Sequence, residues 1–434
     1  MTTRGYDPAA EVVEICSDLI GIDTSNFGEE PGPGERKAAE HVAQLLDDVG
    51  IPVELLESEP GRTSLVARWG GGTGEPVLLH GHLDVVPAAP EDWSVHPFSG
   101  EVKDGVVWGR GAVDMKDFDA MLLSIVRARA RAGEVPARPL VLCFTADEEA
   151  GGAKGAGYVA RAHRDLVGDC TVAVGEVGGF STNVRGRRVY LVEAAEKGMA
   201  WVRLAARGRA GHGSMRHPDN AVTTLSAAVA RIGLHEWPVR LTPTMEVLLA
   251  AVAEIAGTEA TQANAEALVE EFGSASRMIG AAIRNSANPT MLRAGYKVNV
   301  VPGTATARVD GRFLPGYEDE FWDTLATLAG PDVEVTREVH LRGVETTYDG
   351  DVARAMTAAL LAEDPDAVVA PYLMSAGTDA KHWEGLGMRC FGFTPLRLPD
   401  DLDFTALFHG VDERVPVDSL EFGARVFDRF LDLL

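Results

Sequence analysis

Histidines and carboxylates recur in this chain where an apolar run gives way to a turn, a placement suited to a divalent-cation site. His80-Gly81-His82-Leu83-Asp84 follows the run Val77-Leu78-Leu79. Open parallel sheets bind their ligands just past the carboxyl ends of the strands. A metal-bound imidazole needs an acceptor for its other ring nitrogen, and His-x-Asp places Asp84 within reach of His82. His80 competes with His82, because a two-residue period puts both on one face of a strand. Spacing leaves that choice open.

Asp114 lies in Gly109-Arg110-Gly111-Ala112-Val113-Asp114-Met115-Lys116, immediately before an amphipathic helix, where an aspartate would otherwise be an ordinary N-cap. Thr145-Ala146-Asp147-Glu148-Glu149 sets three consecutive carboxylates directly after an apolar run that ends at Phe144. Like charges this close repel unless a cation intervenes. The strand-like Thr171-Val172-Ala173-Val174 leads to one more carboxylate, Glu176, ahead of Gly178-Gly179. His409 stands in the loop Phe408-His409-Gly410-Val411-Asp412-Glu413.

Ligand counting organises these groups. His82, Asp114, Glu149, Glu176 and His409 are five, one short of two three-ligand sites. A bridging Asp114 closes the gap. One cation then takes His82, Asp114 and Glu176, the other takes Asp114, Glu149 and His409, and a bridging water completes both. Glu148 is left over beside the water, where general-base catalysis needs a carboxylate. Oxygen-rich ligands with two histidines suit zinc, and accept cobalt or manganese. His41, His163, His217, His235, His340 and His382 fall on helical or loop surfaces with no recurring carboxylate pattern, and His96 in a packed loop.

The elements that must hold these groups read as α/β. Ala38, Val42, Leu45, Leu46 and Val49 follow helical spacing up to Gly50, and Phe118, Met121, Leu122, Ile125 and Val126 do so up to Gly133. Between and after them come the apolar runs at 77–79, 140–144 and 171–174. That alternation predicts a largely parallel, helix-covered sheet. At Glu196-Lys197-Gly198 the texture changes to the strand-like Trp201-Val202-Arg203-Leu204, then to an Ala/Glu-rich helical stretch between about Ala250 and Arg284. The strand Thr304 to Arg312 closes this insertion at Pro315-Gly316. The expected division is a first catalytic segment 1–195, an inserted smaller α+β domain 196–313 and a second catalytic segment 314–434.

Composition narrows the partners. The chain has 434 residues, 46% hydrophobic and 24% charged, so it can bury a large core and is not a disordered or fibrous sequence. With 65 acidic against 40 basic residues its formal charge is -25, which repels nucleic acid and anionic membranes at long range. Cys16, Cys143, Cys170 and Cys390 form no Cys-x-x-Cys pair and no disulfide framework. The N-terminus carries acids where a signal peptide needs a basic start, and no apolar run approaches a membrane span, so a cytoplasmic enzyme is expected. Gly70-Gly71-Gly72-Thr73-Gly74 precedes a strand and not a helix, which removes it as a dinucleotide loop, and no Gly-x-Ser-x-Gly is present.

Taken together, His82-Leu83-Asp84-Val85-Val86-Pro87, Gly109 to Lys116, Thr145 to Glu149, Glu176 with Gly178-Gly179, and His409-Gly410 resemble the cocatalytic zinc metallopeptidases. That family includes glutamate carboxypeptidase G, aminoacylase, acetylornithine deacetylase and succinyl-diaminopimelate desuccinylase. The resemblance selects His82 over His80. It implies a catalytic α/β domain interrupted by a lid (dimerisation) domain, and a cis peptide at Asp114-Met115. It also implies that His212, in Gly211-His212-Gly213-Ser214, helps hold an oxyanion, often across a homodimer interface. Asn299 would contact the substrate carbonyl, Arg312 would clamp a carboxylate, and Gly377 would add a backbone contact. Here Val177 separates Glu176 from the paired glycines, a departure from the usual family spacing. The stretch from about His235 to Thr290, where acyl-group selectivity would lie, matches no particular member.

The expected activity is hydrolysis of an amide bond next to an L-amino acid with a free carboxylate, of the aminoacylase or carboxypeptidase/dipeptidase type. The expected substrate is a small peptide or N-acyl amino acid. A biosynthetic deacylase acting on acetylornithine or succinyl-diaminopimelate is the alternative within the class, and a non-catalytic amino-acid-binding relative is the alternative outside it.

Overall fold

The computed structural model describes residues 5–434. Its larger unit is built on a ten-stranded mixed sheet. Strand Val77–His82 lies parallel between Leu140–Thr145 and Val172–Gly175, and Val172–Gly175 is in turn parallel to Arg389–Gly392. These central strands are buried on both faces, which is why they read as continuous apolar runs. Antiparallel strands, among them Val53–Glu59 and Arg62–Trp69, extend the sheet outward.

Register decides what emerges where. His82 pairs with Thr145 and Leu79 with Val174, so three strands end at one edge of the sheet. His82, the turn at 145–149 and Glu176 therefore leave the sheet side by side. The helix Lys116–Arg131 packs across the sheet on buried Phe118, Met121, Leu122 and Ile125. Asp114, just ahead of it, is joined to Met115 by a cis peptide bond, as the family resemblance implies. The C-terminal helix Val417–Leu433 locks over it, with Phe427 meeting Phe118 edge-on at 5.5 Å between ring centres.

A second, antiparallel sheet of four strands is ordered Ser286–Ala294, Thr304–Phe313, Gly198–Arg207, Val333–Leu341. Its core is separate from that of the large sheet. Val202, Leu204, Leu225, Ile232, Phe313 and Phe321 pack there beneath the helices Ala221–Gly233 and Glu318–Ala329. The chain first passes from the large sheet to the small one through a single residue, Lys197, between strands Arg187–Glu196 and Gly198–Arg207.

Two features correct the expected division at 196 and 313. The strand Val333–Leu341 and the helix before it belong to the small sheet, although they lie beyond residue 313, because the register with Gly198–Arg207 continues through Ala206↔Val333. The Ala/Glu-rich stretch, expected inside the insertion, instead returns to the large unit as three helices, Pro243–Ala256, Ala265–Glu270 and Ser276–Ala281. Met245, Leu248, Leu249, Val252, Leu268, Phe272 and Ile279 join the core of the large sheet. Helical periodicity locates an apolar face but does not say which of two cores will cover it.

This assignment predicts the effect of Leu249→Ala, which opens a cavity at a fully buried position. A loss of about 2–5 kcal/mol is expected. In hydrogen–deuterium exchange the lost protection should fall on Val368–Met374, which the helix covers, and leave Thr304–Phe313 unchanged. The reverse pattern would place the helix with the small sheet.

Candidate metal centre

Two triads of possible ligands form where the strands end, each with its donor atoms within 4.8 Å of one another: His82, Asp114, Glu176 and Asp114, Glu149, His409. Both were expected from the ligand count. His82 Nε2 lies 3.2 Å from Asp114 Oδ1 and 3.5 Å from Glu176 Oε2. His409 Nε2 lies 3.3 Å from Asp114 Oδ2 and 3.1 Å from Glu149 Oε2. Asp114 thus turns one oxygen to each histidine, the arrangement of a carboxylate shared by two cations. His80 takes no part. It is buried edge-on against Trp383, and burial together with the neighbouring His82 pushes its pKa down to about 3.

The backbone is bent to deliver these groups. Val177 (φ 51°), His409 (φ 57°) and Asp147 (φ 67°) adopt the left-handed region that L-residues rarely occupy. For a β-branched residue such as Val177 this is a marked departure, and such strain clusters at functional sites. It also accounts for the residue between Glu176 and the paired glycines, since the Glu176 carboxylate still reaches His82. Gly178 (φ 148°) must be glycine, because a Cβ there would collide with the Gly392 carbonyl and the Glu193 amide.

Electrostatics shows what the cluster lacks. Burial, then Glu176, raises Glu148 well above the usual carboxylate range, and burial, then Asp114, pushes Glu149 up to about 7. Burial alone would lower His82, but Glu176, Asp114 and Glu148 hold its imidazolium well above its ordinary value. The Asp114 and Glu149 contacts push His409 up to about 10. Carboxylates that resist ionisation beside imidazoles that resist deprotonation mark a place requiring positive charge. Two histidines and three carboxylates at these separations fit a pair of hard or borderline divalent cations.

Asp84 holds the site differently from the expected orientation of His82 by its carboxylate. His82 Nδ1 is 2.9 Å from the Asp84 main-chain carbonyl and 3.7 Å from carboxylate Oδ1. The carboxylate instead accepts the Glu148 and Glu149 amides, each at 3.1 Å. The carbonyl contact directs Nε2 toward Asp114. Glu148 Oε2 is 3.8 Å from His82 Nε2 and belongs to neither triad.

Sequence reasoning overlooked several supports. Arg110 Nη1 donates to Glu413 Oε2 at 2.6 Å, and the Val113 amide donates to Glu413 Oε1 at 2.8 Å. This pins the turn before Asp114 to the loop after His409. Glu413 stands in the His409 motif, the only hint it offered. Thr145 Oγ1 donates to Asp379 at 2.6 Å, and Ser64 Oγ accepts the Ala146 amide at 3.0 Å.

The residues expected to handle substrate stand apart. His212 is exposed, with Nδ1 2.8 Å from Ser214 Oγ, on a short ladder in which Gly211 and His212 pair with Val301 and Val300. Asn299 is exposed beside it, its carbonyl accepting the Gly213 amide at 2.9 Å. Arg312 pairs with Asp310 at 2.9 Å. Gly377 lies against the Lys381 side chain, in a loop that Glu196 holds through the Thr378 amide at 3.1 Å. Among the described residues, no hydrogen bond or ion pair joins His212, Asn299, Arg312 or Gly377 to the two triads.

Comparison with known proteins agrees with this geometry. The chain is 26% identical to a Sus scrofa protein named aminoacylase-1, over 100% of this chain and 98% of that one. It is 27% identical to a Xenopus tropicalis N-fatty-acyl-amino acid synthase/hydrolase PM20D1, over 95% and 83% of the two chains. Its fold resembles that of an M20 family metallo-carboxypeptidase, Sso-CP2 from Sulfolobus solfataricus, with a TM-score of 0.72, 18% identity and coverage of 98% and 99%. The family model of Peptidase family M20/M25/M40 matches residues 78–433, a span containing every member of both triads. The chain belongs to Peptidase family M20/M25/M40, whose members are metal-dependent hydrolases.

Proposed function

We propose that this enzyme carries two zinc ions and hydrolyses the amide bond beside an L-amino acid with a free carboxylate, as an aminoacylase or carboxypeptidase/dipeptidase does. The carrying observation is the division of the Asp114 oxygens between His82 and His409. The first site comprises His82, Asp114 and Glu176, the second Asp114, Glu149 and His409. When bound, such a pair supplies Lewis acidity to the scissile carbonyl and acidifies water.

The rest is assigned to the chain's own groups. Glu148, outside both triads yet beside His82, accepts the proton of the attacking water and returns it to the departing nitrogen. Asp84 keeps the Glu148–Glu149 turn in place. Arg312 clamps the substrate carboxylate, for which guanidinium geometry is suited, and Asn299 and Gly377 contact the bound substrate. His212 stabilises the oxyanion.

Those roles require the small unit to close over the large one. Lys197, the lone residue between their strands, is the natural pivot, and the small unit is accordingly assigned as the lid. The lid is also proposed to form a homodimer. Its edge strand Ser286–Ala294 is largely exposed, with exposed Leu292 on it and exposed Tyr296 and Val298 in the segment that follows, before Asn299. The substrate is placed among small peptides and N-acyl amino acids, by analogy with the relatives' names. Among the described residues no helix is long and apolar enough to cross a membrane. Four buried, unpaired cysteines accord with work in the cytoplasm.

Glu148→Gln should retain two metal equivalents by elemental analysis while turnover of a panel of N-acyl amino acids and dipeptides falls by several orders of magnitude. Unchanged turnover would remove Glu148 as the base. Chelation should abolish activity and lower the melting temperature, and zinc, cobalt or manganese should restore both. Full activity in metal-depleted protein would refute the dimetal assignment. Arg312→Met should raise KM for substrates with a free carboxylate at least tenfold, while a carboxamide analogue should barely distinguish the variant from the parent; equal losses on both would deny Arg312 the clamp.

A further inference from the structure

A buried polar chain leads away from the metal centre through Asp84. Asp84, fully buried, accepts Asn26 Nδ2 at 2.8 Å on the same oxygen that accepts the Glu149 amide. Asn26 Oδ1 in turn accepts Arg62 Nη2 at 2.7 Å and the Gly28 amide at 2.9 Å. Arg62 is paired through its other terminal nitrogen with Glu35. All four side chains are at least nine-tenths buried, from Glu35 and Asp84 at 0% exposure to Asn26 at 5% and Arg62 at 8%.

The segment that carries Asn26 is built against the metal-bearing strand end. Thr24 Oγ1 donates to the Leu83 carbonyl at 2.7 Å, the Asn26 amide donates to the Val85 carbonyl at 2.9 Å, and Ser25 bridges Val85. An amide side chain can present its oxygen or its NH2 to a neighbour. The guanidinium of Arg62 removes that choice: it claims the oxygen, so only the NH2 can face Asp84. Asp84, given one donor from behind, keeps its oxygens aligned with the Glu148 and Glu149 amides.

We propose that Asn26, oriented by Arg62, is a positioning residue for Glu148 and Glu149, acting through Asp84. This rests on the proposed dimetal hydrolase activity. Outer partners of metal ligands typically govern activity or metal affinity by 10–100-fold, and this chain reaches both a ligand and the base through one carboxylate. A buried charge pair that merely stabilised the fold would need no asparagine between it and Asp84.

Asn26→Asp tests the proposal with little change of shape, since it replaces the donor by an acceptor facing Asp84. With metal content matched to the parent, kcat should fall about 10–100-fold while KM stays within about twofold. Arg62→Met should share the kcat loss, and Arg62→Lys, which keeps a cationic donor for the Asn26 oxygen, should recover much of it. Cobalt-loaded protein gives a readout independent of turnover, because its visible absorption reports how Glu149 is presented; Asn26→Asp should shift those bands. Melting temperatures identify a variant that merely unfolds, in which case the Arg62→Lys and Arg62→Met comparison decides. A lowered melting temperature with parental kcat and a parental cobalt spectrum would make the chain a structural staple and overturn the proposal. If the parent hydrolyses none of the panel, the assigned activity fails instead, and the cobalt spectra alone judge the role of Asn26.

Discussion

Asp114 divides its two oxygens between two histidines, and the large unit is organised around that division. Five acidic side chains, Asp84, Asp114, Glu148, Glu149 and Glu176, are gathered where three strands end. Such a gathering is unfavourable by itself, because burial and mutual repulsion both oppose ionisation. It becomes favourable when positive charge is supplied between the carboxylates. The raised pKa values of Glu148 and Glu149, and of the imidazoles facing them, express one imbalance from two sides.

Holding that arrangement is the work of the surrounding backbone. Parallel register aligns the strand ends, and the left-handed residues Asp147, Val177 and His409 turn the chain sharply enough for three side chains to converge. The Arg110–Glu413 pair joins loops about 300 positions apart in the chain, fixing the turn before Asp114 relative to the loop after His409. Asp84 does likewise for Glu148 and Glu149 through hydrogen bonds to their backbone, where a shift of one amide would move both carboxylates.

The second sheet has a different task, and its connections to the first reflect that. A single residue, Lys197, links the two sheets at the first crossing. The helices between 243 and 281 return to the large core, so the small sheet is attached again through the segments flanking them. A fourth crossing runs through Arg342-Gly343, from Val333–Leu341 to Val344–Glu345, which pairs with the large sheet, so any relative movement of the two units must keep all four crossings intact. Arg312 and His212, proposed as carboxylate clamp and oxyanion group, sit on the small unit with no hydrogen bond or ion pair to the triads among the described residues, and the proposed roles therefore require movement of one unit toward the other.

Much of the chemistry was legible in the sequence because it depends on local pattern. Apolar runs mark buried strands, and a residue just past a buried strand sits at a sheet edge, so His82, Glu148, Glu149 and Glu176 announce themselves by position. Counting ligands was enough to make Asp114 the shared group, since charge and coordination number are set by residue type. What only the tertiary structure decided are relations without local pattern. Asn26 and Arg62 meet Asp84 because the segments carrying them fold beside it, and nothing in their neighbours foretells that meeting. His80 and His82 share a strand phase, so spacing leaves them equal; the family resemblance picks His82, and the structure supplies the physical reason in the opposing groups, Trp383 for one and carboxylates for the other. The helices from 243 to 281 show an apolar face, yet two cores compete to cover it, and burial of an apolar face is non-directional. Sequence specifies which surfaces must be covered and which charges must be balanced; the partner that covers or balances each is chosen by packing across the whole chain.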